Sequence, residues 1–447
     1  MKLLFISLGC DKNLVDTEIM LGILQQYSFE FTDDEAEADV IIINTCCFIH
    51  DAKEESIHSI LQMAEYKEEN GGKCKALLVT GCLAQRYADE IRKEIPEVDA
   101  IVGTTAYDQI AEALSAVLEG KEGDRMASIE ALPIIEGRRV ITTGGHFAYL
   151  KIAEGCDKHC TYCIIPKLRG HFRSVPMEVL LREAERLVNA GVKELILVAQ
   201  ETTLYGVDLY GGKSLPKLLK KLCRIEGLFW IRILYCYPEE ITDELIQTIK
   251  EENKICNYLD IPIQHASDAV LKRMGRRTDK RQLKEIIGKL RKEIPDICIR
   301  TTLITGFPGE TKEEHQELME FTDEMEFERL GVFTYSQEED TPAAAMPLQI
   351  EEEVKQDRQA QLMEQQQEIA FLHAEDMIGR ELDAFVEGKV IDEEAYAART
   401  YMDAPNIDGL LFIHTSKELM SGDMVKVRVT GAYEYDLIGE LCNESAK

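Results

Sequence analysis

Cys156, Cys160 and Cys163 form the clearest chemical signal in the sequence. They lie in EGCDKHCTYCIIP, with C-x3-C-x2-C spacing, directly after a predicted strand. Three thiolates on one loop can hold three irons of a 4Fe-4S cluster and leave the fourth iron open for a substrate or cofactor. A zinc site needs a fourth ligand from a second pair, and none follows at the spacing of a zinc finger.

A second set of cysteines, Cys10, Cys46 and Cys82, recurs at intervals of 36 residues. Each closes a short apolar run, FISLGC, IIINTC or LLVTGC, that is typical of a strand. Because the carboxyl ends of parallel strands lie along one edge of a sheet, we expect the three thiols to converge there and to hold a second cluster with an open iron. The alternative from the pattern alone is three buried cysteines that act as small apolar side chains.

The other cysteines and the composition indicate a reducing compartment. Thirteen cysteines, an odd number, argue against a disulfide framework. The N-terminus turns polar after a few apolar residues, so we expect a first strand and not a secretion signal. No stretch approaches the roughly 20 apolar residues of a membrane span, and we expect a cytoplasmic protein with no membrane partner. The remaining cysteines are expected to fill the core: Cys47, Cys74, Cys223, Cys236, Cys256, Cys298 and Cys442.

The elements that position these cysteines predict an α/β protein of several domains. A chain of 447 residues fits two or three domains of roughly 100 to 200 residues each. At the N-terminus, apolar runs at 3–8, 40–44, 76–80 and 100–102 alternate with helical patterns. This alternation predicts a parallel α/β sheet domain over 1–118, followed by a linker at 119–141.

The rest of the chain predicts a central barrel and a small terminal one. Over 142–373, six strand patterns alternate with helical ones, which suits an open or partial (β/α)6 TIM-like barrel. It ends in a helix at about 351–375, where Val354, Leu362, Ile369 and Leu372 are spaced for one buried stripe. Short strands broken by Gly, Asp and Pro then predict a small antiparallel β-barrel over 375–443.

Both cysteine sets resemble those of a known family. The C-x3-C-x2-C run resembles the signature of the radical-SAM superfamily, whose cluster binds S-adenosylmethionine at its open iron and cleaves it to a 5′-deoxyadenosyl radical. The motifs GC, NTC and GC of the methylthiotransferase N-terminal domain are matched by Cys10, by NTC at 44–46 and by GC at 81–82.

Further segments carry the resemblance through nearly the whole chain. RGHFRS at 169–174, IPIQHASDAVLKRMGRR at 261–277 and TGFPGET at 305–311 resemble segments of the same family, in the same order. The terminal barrel resembles a TRAM domain, a module for substrate docking. The chain is thereby identified as a member of the methylthiotransferase family of radical-SAM enzymes.

The resemblance implies two 4Fe-4S clusters and S-adenosylmethionine as cofactors. The cluster at Cys156, Cys160 and Cys163 would generate the radical, which abstracts hydrogen from an unactivated carbon. The cluster at Cys10, Cys46 and Cys82 would hold or supply the sulfur that is methylated and transferred. No side chain is required as a catalytic acid or base, and electrons would come from a low-potential donor such as a flavodoxin or ferredoxin.

Several other residues have two interpretations. Tyr162 matches the family's aromatic position near the adenine, or it packs in the core. Gly306 and Gly309 either let the backbone approach the cofactor or serve only a tight turn. His265 contacts the cofactor or substrate, or it bonds a backbone carbonyl. Arg169 and Arg173 are expected to serve either structure or substrate binding; the sequence favours neither.

Two branches of the family differ in substrate. One modifies an adenosine of transfer RNA, and the other modifies the β-carbon of an aspartate in ribosomal protein S12. SLGCDKNLVDTE resembles the ribosomal-protein branch, although Asp11 replaces the proline common there, whereas the transfer-RNA branch typically has GCQMN. The sequence leaves two alternatives: a transfer-RNA adenosine methylthiotransferase and a non-catalytic iron–sulfur scaffold.

Charge favours a basic protein over RNA. The formal net charge is -31, and residues 375–447 contain sixteen Asp or Glu against seven Lys or Arg. An RNA-docking barrel needs Lys and Arg for phosphate contacts, so we expect no direct RNA binding. A basic partner such as ribosomal protein S12, free or in the small subunit, fits this charge, although acidity also serves solubility.

Overall fold

The computed structural model describes residues 1–27, 29–134, 136–137, 139–391 and 393–442. These residues form a parallel sheet at the N-terminus, a second parallel sheet in the centre and a closed barrel at the C-terminus. The predicted fold class is therefore confirmed. Among the helices so described, none is both long and apolar enough to cross a membrane.

The N-terminal sheet has five parallel strands in the order β2-β1-β3-β4-β5. β3 and β4 are buried along their whole length, as expected for central strands covered by helices on both faces. The sequence did not predict β2, which has two exposed residues. The strands are β1 (Lys2–Ser7), β2 (Glu30–Phe31), β3 (Val40–Thr45), β4 (Ala76–Gly81) and β5 (Ala100–Val102), and the helices are α1 (Asp11–Leu24), α2 (His50–Ala64), α3 (Cys82–Arg86), α4 (Ala88–Glu94) and α5 (Ile110–Leu118).

The segment between α5 and the central sheet is attached to the N-terminal sheet. Its described residues, 119–134, 136–137 and 139–146, include no helix or strand. Arg139 nevertheless forms a buried ion pair with Glu18 of α1, and Thr142 donates its backbone N–H to the same carboxylate at 2.7 Å. The domain limits predicted from the sequence stay a prediction.

The central sheet has six parallel strands in the order β13-β12-β11-β10-β9-β6 and is open, as the sequence predicts. A short antiparallel pair, β7 and β8, lies beside the cysteine loop. The strands are β6 (Phe147–Lys151), β7 (Ala153–Glu154), β8 (Arg173–Ser174), β9 (Glu194–Val198), β10 (Trp230–Ile233), β11 (Ile255–Asp260), β12 (Cys298–Thr305) and β13 (Arg329–Thr334). The helices are α6 (Ile165–Arg169), α7 (Met177–Asn189), α8 (Val207–Tyr210), α9 (Leu215–Leu222), α10 (Asp243–Glu251), α11 (Asp268–Arg273), α12 (Lys280–Glu293), α13 (Lys312–Met325) and α14 (Glu352–Asp376).

The buried stripe of α14 differs from the prediction. Leu362 and Ile369 are buried, but Val354 is 41% exposed and Leu372 is 59% exposed. Polar side chains occupy the buried face of α14 because they donate hydrogen bonds to backbone carbonyl and carboxylate oxygens. The buried residues are Lys355, Arg358, Leu362, Gln366, Ile369, Ala370 and Ala374.

The C-terminal barrel is closed in the order β14-β15-β16-β18-β17. Four pairings are antiparallel and the pairing of β16 with β18 is parallel. The barrel core is continuous with one face of the central sheet, where Trp230 packs edge-on against Phe385 at 4.7 Å between ring centroids. Its strands are β14 (Glu381–Lys389), β15 (Ala395–Arg399), β16 (Leu411–His414), β17 (Met424–Tyr433) and β18 (Asp436–Leu441).

Candidate functional site: two cysteine clusters joined at a domain interface

Cys10, Cys46 and Cys82 lie at the carboxyl ends of three neighbouring strands. β1, β3 and β4 are adjacent in the sheet, and Thr45 of β3 pairs with Gly81 of β4. Cys46 is the first residue after β3, and Cys82 is the first residue of α3. Cys10 directly precedes α1. The structure therefore brings the three thiols to one edge of the sheet.

Glycines let these three loops approach each other closely. Gly9 has φ +86°, and a Cβ there would lie 2.6 Å from Cys46 Cβ and 2.9 Å from its Sγ. Gly81 has φ +92°, and a Cβ there would lie 2.3 Å from Asn44 Oδ1. A side chain at either position would collide with a neighbouring loop. This explains why Cys10 and Cys82 each follow a glycine.

Asn13 ties two of the loops together from the first turn of α1. Its Nδ2 donates to the carbonyl of Leu8 at 3.1 Å and to the carbonyl of Thr45 at 2.9 Å. These residues flank Cys10 and Cys46. Asn44 Nδ2 donates back to the Asn13 carbonyl at 2.9 Å, so the contact is reciprocal.

Arg169 of the central unit reaches the third loop. Its side chain is buried, and Nη2 donates to Cys82 Sγ at 3.5 Å and to Asn13 Oδ1. Nη1 donates to Asp16 Oδ2 at 2.9 Å and to Glu154 Oε2 at 3.2 Å. Arg169 thus has a structural role at the domain interface.

Asn13 and Asp16 were missed from the sequence. Both are buried on α1 three residues apart, and therefore on one helix face beside apolar neighbours. Arg173 also has a structural role, because it donates to the Glu130 carboxylate and to the carbonyls of Ala131 and Arg169. A polar pair at this spacing in the first two turns of the helix that follows Cys10 is the signal that could have identified Asn13 and Asp16.

Burial keeps the thiols of Cys46 and Cys82 protonated in the absence of metal. Burial, followed by the charge of Cys82, raises the pKa of Cys46 to about 12. Burial also raises the pKa of Cys82, while Arg169 opposes that shift. Because thiolates are the metal ligands, binding of iron at these positions must release protons.

The loop of Cys156, Cys160 and Cys163 is folded against the central unit. The Cys156 amide donates to the carbonyl of Gly170 at 3.2 Å, and the Cys163 amide donates to that of Cys160 at 3.0 Å. Burial raises the pKa of Cys156 to about 12 and that of Cys163 well above its ordinary value. The three cysteines therefore lie on one loop that is held against the central unit by backbone hydrogen bonds.

A cavity of about 690 Å³ opens beside this loop. That volume lies within the range of roughly 300 to 1,000 Å³ that is typical of ligand sites. The residues after β13 form its other wall. Its lining residues are His159, Cys160, Cys163, Pro166, Lys167, Asp340, Thr341, Pro342, Ala344 and Ala345.

Tyr162, Gly306 and Gly309 lie near this loop, and their role at a cofactor stays a prediction. The Tyr162 ring stands edge-on to Phe307 at 6.5 Å, inside the turn that contains both glycines. Gly306 and Gly309 have φ of +72° and +75°. A Cβ on Gly306 would lie 2.3 Å from Lys355 Cγ, so this glycine lets α14 pack against the turn.

His265 bonds to the backbone differently from our prediction. Its ring is fully buried, and Nδ1 accepts a hydrogen bond from the Ser267 amide at 3.0 Å rather than donating to a carbonyl. Nε2 lies 3.8 Å from the Glu310 carboxylate. Its environment is therefore that of a neutral core histidine.

Tyr237 and Arg276 surround Cys160 and were missed from the sequence. Tyr237 Oη lies 3.5 Å from Cys160 Sγ, and the Arg276 guanidinium stacks over the Tyr237 ring at 4.3 Å. Arg276 Nη2 donates to the Pro262 carbonyl at 2.9 Å. Arg276 belongs to the RMGRR string, which is the signal that could have drawn attention to it.

The donor sets fit iron–sulfur clusters better than single metal ions. Within the part of the chain that the structure describes, no three His, Cys, Asp or Glu side chains are arranged around one metal ion. In a 4Fe-4S cluster each cysteine binds a different iron, so the cysteine sulfurs need not converge on one point. Soft thiolate donors also favour iron–sulfur chemistry over hard cations.

Three family models match successive parts of the chain. Residues 2–103 match the model described as uncharacterized protein family UPF0004, residues 150–322 match the radical SAM superfamily and residues 378–442 match the TRAM domain. The ribosomal protein uS12 methylthiotransferase RimO of Lachnoclostridium phytofermentans is 64% identical over 439 residues, covering 98% of this chain and 99% of that protein. The chain belongs to the ribosomal protein uS12 methylthiotransferase family.

Other members of the uS12 methylthiotransferase family match over similar lengths. The RimO of Thermoanaerobacter sp. is 49% identical and that of Acetivibrio thermocellus is 50% identical, each covering at least 97% of this chain and 98% of the relative. Among solved structures, the radical S-adenosylmethionine methyltransferase TsrM from Kitasatospora setae aligns with a TM-score of 0.56 at 13% identity, over 76% of each chain. That likeness is one of fold.

Proposed function

We propose that this protein transfers a methylthio group to the β-carbon of an aspartate in ribosomal protein uS12. The observation that carries the proposal is 64% identity over 98% of the chain to a protein named for that activity. Arg169 links the two cysteine sets across the interface of the N-terminal and central units, and these sets would supply the chemistry that such a reaction requires.

Two 4Fe-4S clusters and S-adenosylmethionine are the proposed cofactors. Cys156, Cys160 and Cys163 would hold one cluster and leave an iron open to S-adenosylmethionine beside the 690 Å³ cavity. When bound, these groups supply the reductive cleavage of S-adenosylmethionine that gives a hydrogen-abstracting carbon radical. Cys10, Cys46 and Cys82 would hold the second cluster, which carries the sulfur.

The chain's own residues position these groups and limit access of water. Tyr162 and Tyr237 flank Cys160, so aromatic rings lie beside one of the two cysteines that line the cavity. Their packing would limit the access of solvent to a radical formed there, which is the protein's main contribution to such chemistry. No side-chain acid or base is needed, since the substrate C–H bond loses a hydrogen atom.

A basic protein substrate fits the surface charge. The net charge of -31 attracts a basic protein and repels a phosphate backbone. We therefore propose that this protein recognises the ribosomal protein directly. We also propose a cytoplasmic location and electron delivery by a low-potential donor such as a flavodoxin or ferredoxin.

Mass spectrometry of a deletion strain tests the substrate. We expect uS12 to lose the mass of a methylthio group, while methylthio-adenosine in transfer RNA is unchanged. Complementation with the intact gene should restore the mark, and complementation with Cys46→Ala should not. Loss of the RNA mark with an intact uS12 mark would contradict the proposal.

Production of 5′-deoxyadenosine separates an enzyme from a binding scaffold. The reconstituted and reduced protein should release it from S-adenosylmethionine. Cys156→Ala should abolish the release and Cys46→Ala should retain it, because only the first variant removes the radical-generating site. A reconstituted wild-type protein that releases none would contradict the proposed enzyme.

A further inference from the structure

Arg169 joins the two cysteine sites. It is the last residue of α6 and follows Cys163 by six residues, so one short segment carries a predicted ligand of one site and a hydrogen-bond donor to the other. The side chain is 2% exposed and places Nη2 3.5 Å from Cys82 Sγ. Arg169 therefore belongs structurally to the N-terminal site, although it comes from the central unit.

Arg169 also contacts the other two cysteine loops through Asn13. Nη2 donates to Asn13 Oδ1, while Asn13 Nδ2 donates to the carbonyls of Leu8 and Thr45. Leu8 lies two residues before Cys10, and Thr45 directly precedes Cys46. One guanidinium thus links the three loops that present the thiols.

Buried charges fix the orientation of this guanidinium. Nη1 donates to Asp16 and Glu154, and the Lys151 ammonium pairs with the same two carboxylates. The two cations and two carboxylates form a compact, charge-balanced set. Because the guanidinium is planar, anchoring Nη1 in this set directs Nη2 towards Cys82.

We propose that Arg169 is a positioning residue for a cluster at Cys10, Cys46 and Cys82, which orients the Cys82 sulfur and raises the reduction potential of that cluster. The inference rests on the proposed function, since it requires a cluster at those cysteines. Reduction adds negative charge to a cluster, and hydrogen bonds to its sulfurs from a cation stabilise that charge.

The test uses the full chain with Cys156, Cys160 and Cys163 all changed to Ala, so that the N-terminal site alone can hold a cluster. After anaerobic reconstitution, iron per chain and the reduction potential are measured, the latter by a titration followed with electron paramagnetic resonance. Arg169→Gln in this background should shift the potential to a more negative value.

Arg182→Gln is the matched control. Arg182 lies on α7, is 55% exposed and pairs with Glu136 on the surface. Its substitution should leave the potential equal to that of the parent. An unchanged potential in Arg169→Gln, with iron retained, would overturn the inference.

Arg169→Lys decides the matter if Arg169→Gln does not fold. It keeps a positive charge beside Asp16 and Glu154, but a single ammonium cannot reproduce the fork that bonds Asn13 and Cys82 together. A lowered potential supports the inference, and an unchanged one overturns it. If the triple-cysteine variant with Arg169 intact binds no iron, the proposed second cluster is overturned and this inference with it. Failure of the proposed cluster is thus distinguishable from failure of the inference about Arg169.

Discussion

At the scale of single residues, the glycine before Cys82 is required by both backbone and space. Gly81 has φ +92° and ψ -156°, a region that is essentially limited to glycine. Gly71 also has a positive φ, +90°, but a Cβ there would meet nothing within 4 Å. Gly71 has ψ 6°, in the left-handed helical region, so the two positions differ both in backbone strain and in collision with a neighbouring loop.

We predict that Gly81→Ala destabilises the protein much more than Gly71→Ala. The new methyl group at position 81 would collide with Asn44 and Thr45. We expect a loss of about 3 kcal/mol or more and reduced iron per chain after reconstitution. Gly71→Ala should cost about 1 kcal/mol from φ strain alone, with iron retained. Urea unfolding and iron analysis measure both, and equal effects would contradict the packing described.

His265 gives the protein an acid-sensitive core. Burial, with the charges of His315 and two arginines, lowers the pKa of His265 to about 3. An unfolded histidine has a pKa of about 6.5, so between these values the unfolded chain binds the extra proton. The contribution of His265 to the free energy of unfolding is therefore fully present above pH 6.5, and it is lost as the pH falls towards 3.

We predict that His265→Asn weakens this pH dependence. The wild-type free energy of unfolding should fall by up to about 1.4 kcal/mol per pH unit below pH 6.5 because of this residue. Asn can accept the Ser267 amide but does not titrate. Urea unfolding between pH 6.5 and 4.5 should show a shallower slope for the variant, and identical slopes would show that His265 is protonated in the folded state.

The placement of the three N-terminal cysteines at one sheet edge was predictable because strand-end geometry depends on local pattern, whereas their role as cluster ligands stays a prediction. Cys10, Cys46 and Cys82 each follow an apolar run, and parallel strands place such positions at one edge. Arg169, Asn13 and Asp16 were not predictable as a unit, because no short-range periodicity relates residue 169 to residues 13 and 16. Their assignment as parts of an iron–sulfur site stays a prediction.

At the scale of elements, central strands were the easiest to predict. β3 and β4 are buried on both faces, so their sequences are continuous apolar runs with clear ends. β2, β7 and β8 have two residues each and carry no periodic signal. Short edge pairings depend on neighbours that the local sequence does not specify.

Helix α14 shows where hydrophobic spacing misleads. The apolar residues Val354 and Leu372 face outward, while polar side chains are buried because specific oxygens accept their hydrogens. Lys355 Nζ donates to the Tyr335 carbonyl at 2.9 Å, and Gln366 Nε2 donates to that of Phe327 at 2.8 Å. Such partners come from the distant β13 region, and the helix sequence does not reveal them.

Two leucines of α14 test directly which face of this helix is buried. Leu362 is fully buried and Leu372 is 59% exposed, although the sequence placed both in one stripe. We predict that Leu362→Ala costs about 2 to 5 kcal/mol, since it leaves a cavity in the core. Leu372→Ala should change the free energy of unfolding by less than about 0.5 kcal/mol. Similar losses for both variants, measured by urea unfolding, would contradict the helix orientation.

At the scale of the whole molecule, a buried ion-pair group fixes the barrel to the central sheet. Arg232 Nε donates to Glu194 Oε1 at 2.8 Å, and Arg399 Nη2 of β15 lies 2.8 Å from Glu194 Oε2 without hydrogen-bond geometry. Arg232 also donates to the Tyr401 carbonyl at 2.6 Å. These residues lie far apart in sequence, so the docking of the barrel could not be predicted.

We predict that Glu194→Gln lowers the free energy of unfolding by about 3 kcal/mol. The substitution keeps the side-chain volume but leaves two buried guanidinium groups without their shared carboxylate. Glu381→Gln is the control, because Glu381 pairs with Arg428 on the exposed face of the same barrel and should leave the unfolding midpoint unchanged. If Glu194→Gln unfolds at the wild-type midpoint, the barrel is not held by this group.

The proposed function requires that two separate cysteine sets each hold a cluster. Iron and sulfide per chain, measured after anaerobic reconstitution, test it directly. We predict about eight irons for the wild type and about four for each variant in which one set of three cysteines is replaced by Ala. About four irons in the wild type, and none when Cys156, Cys160 and Cys163 are replaced, would contradict it.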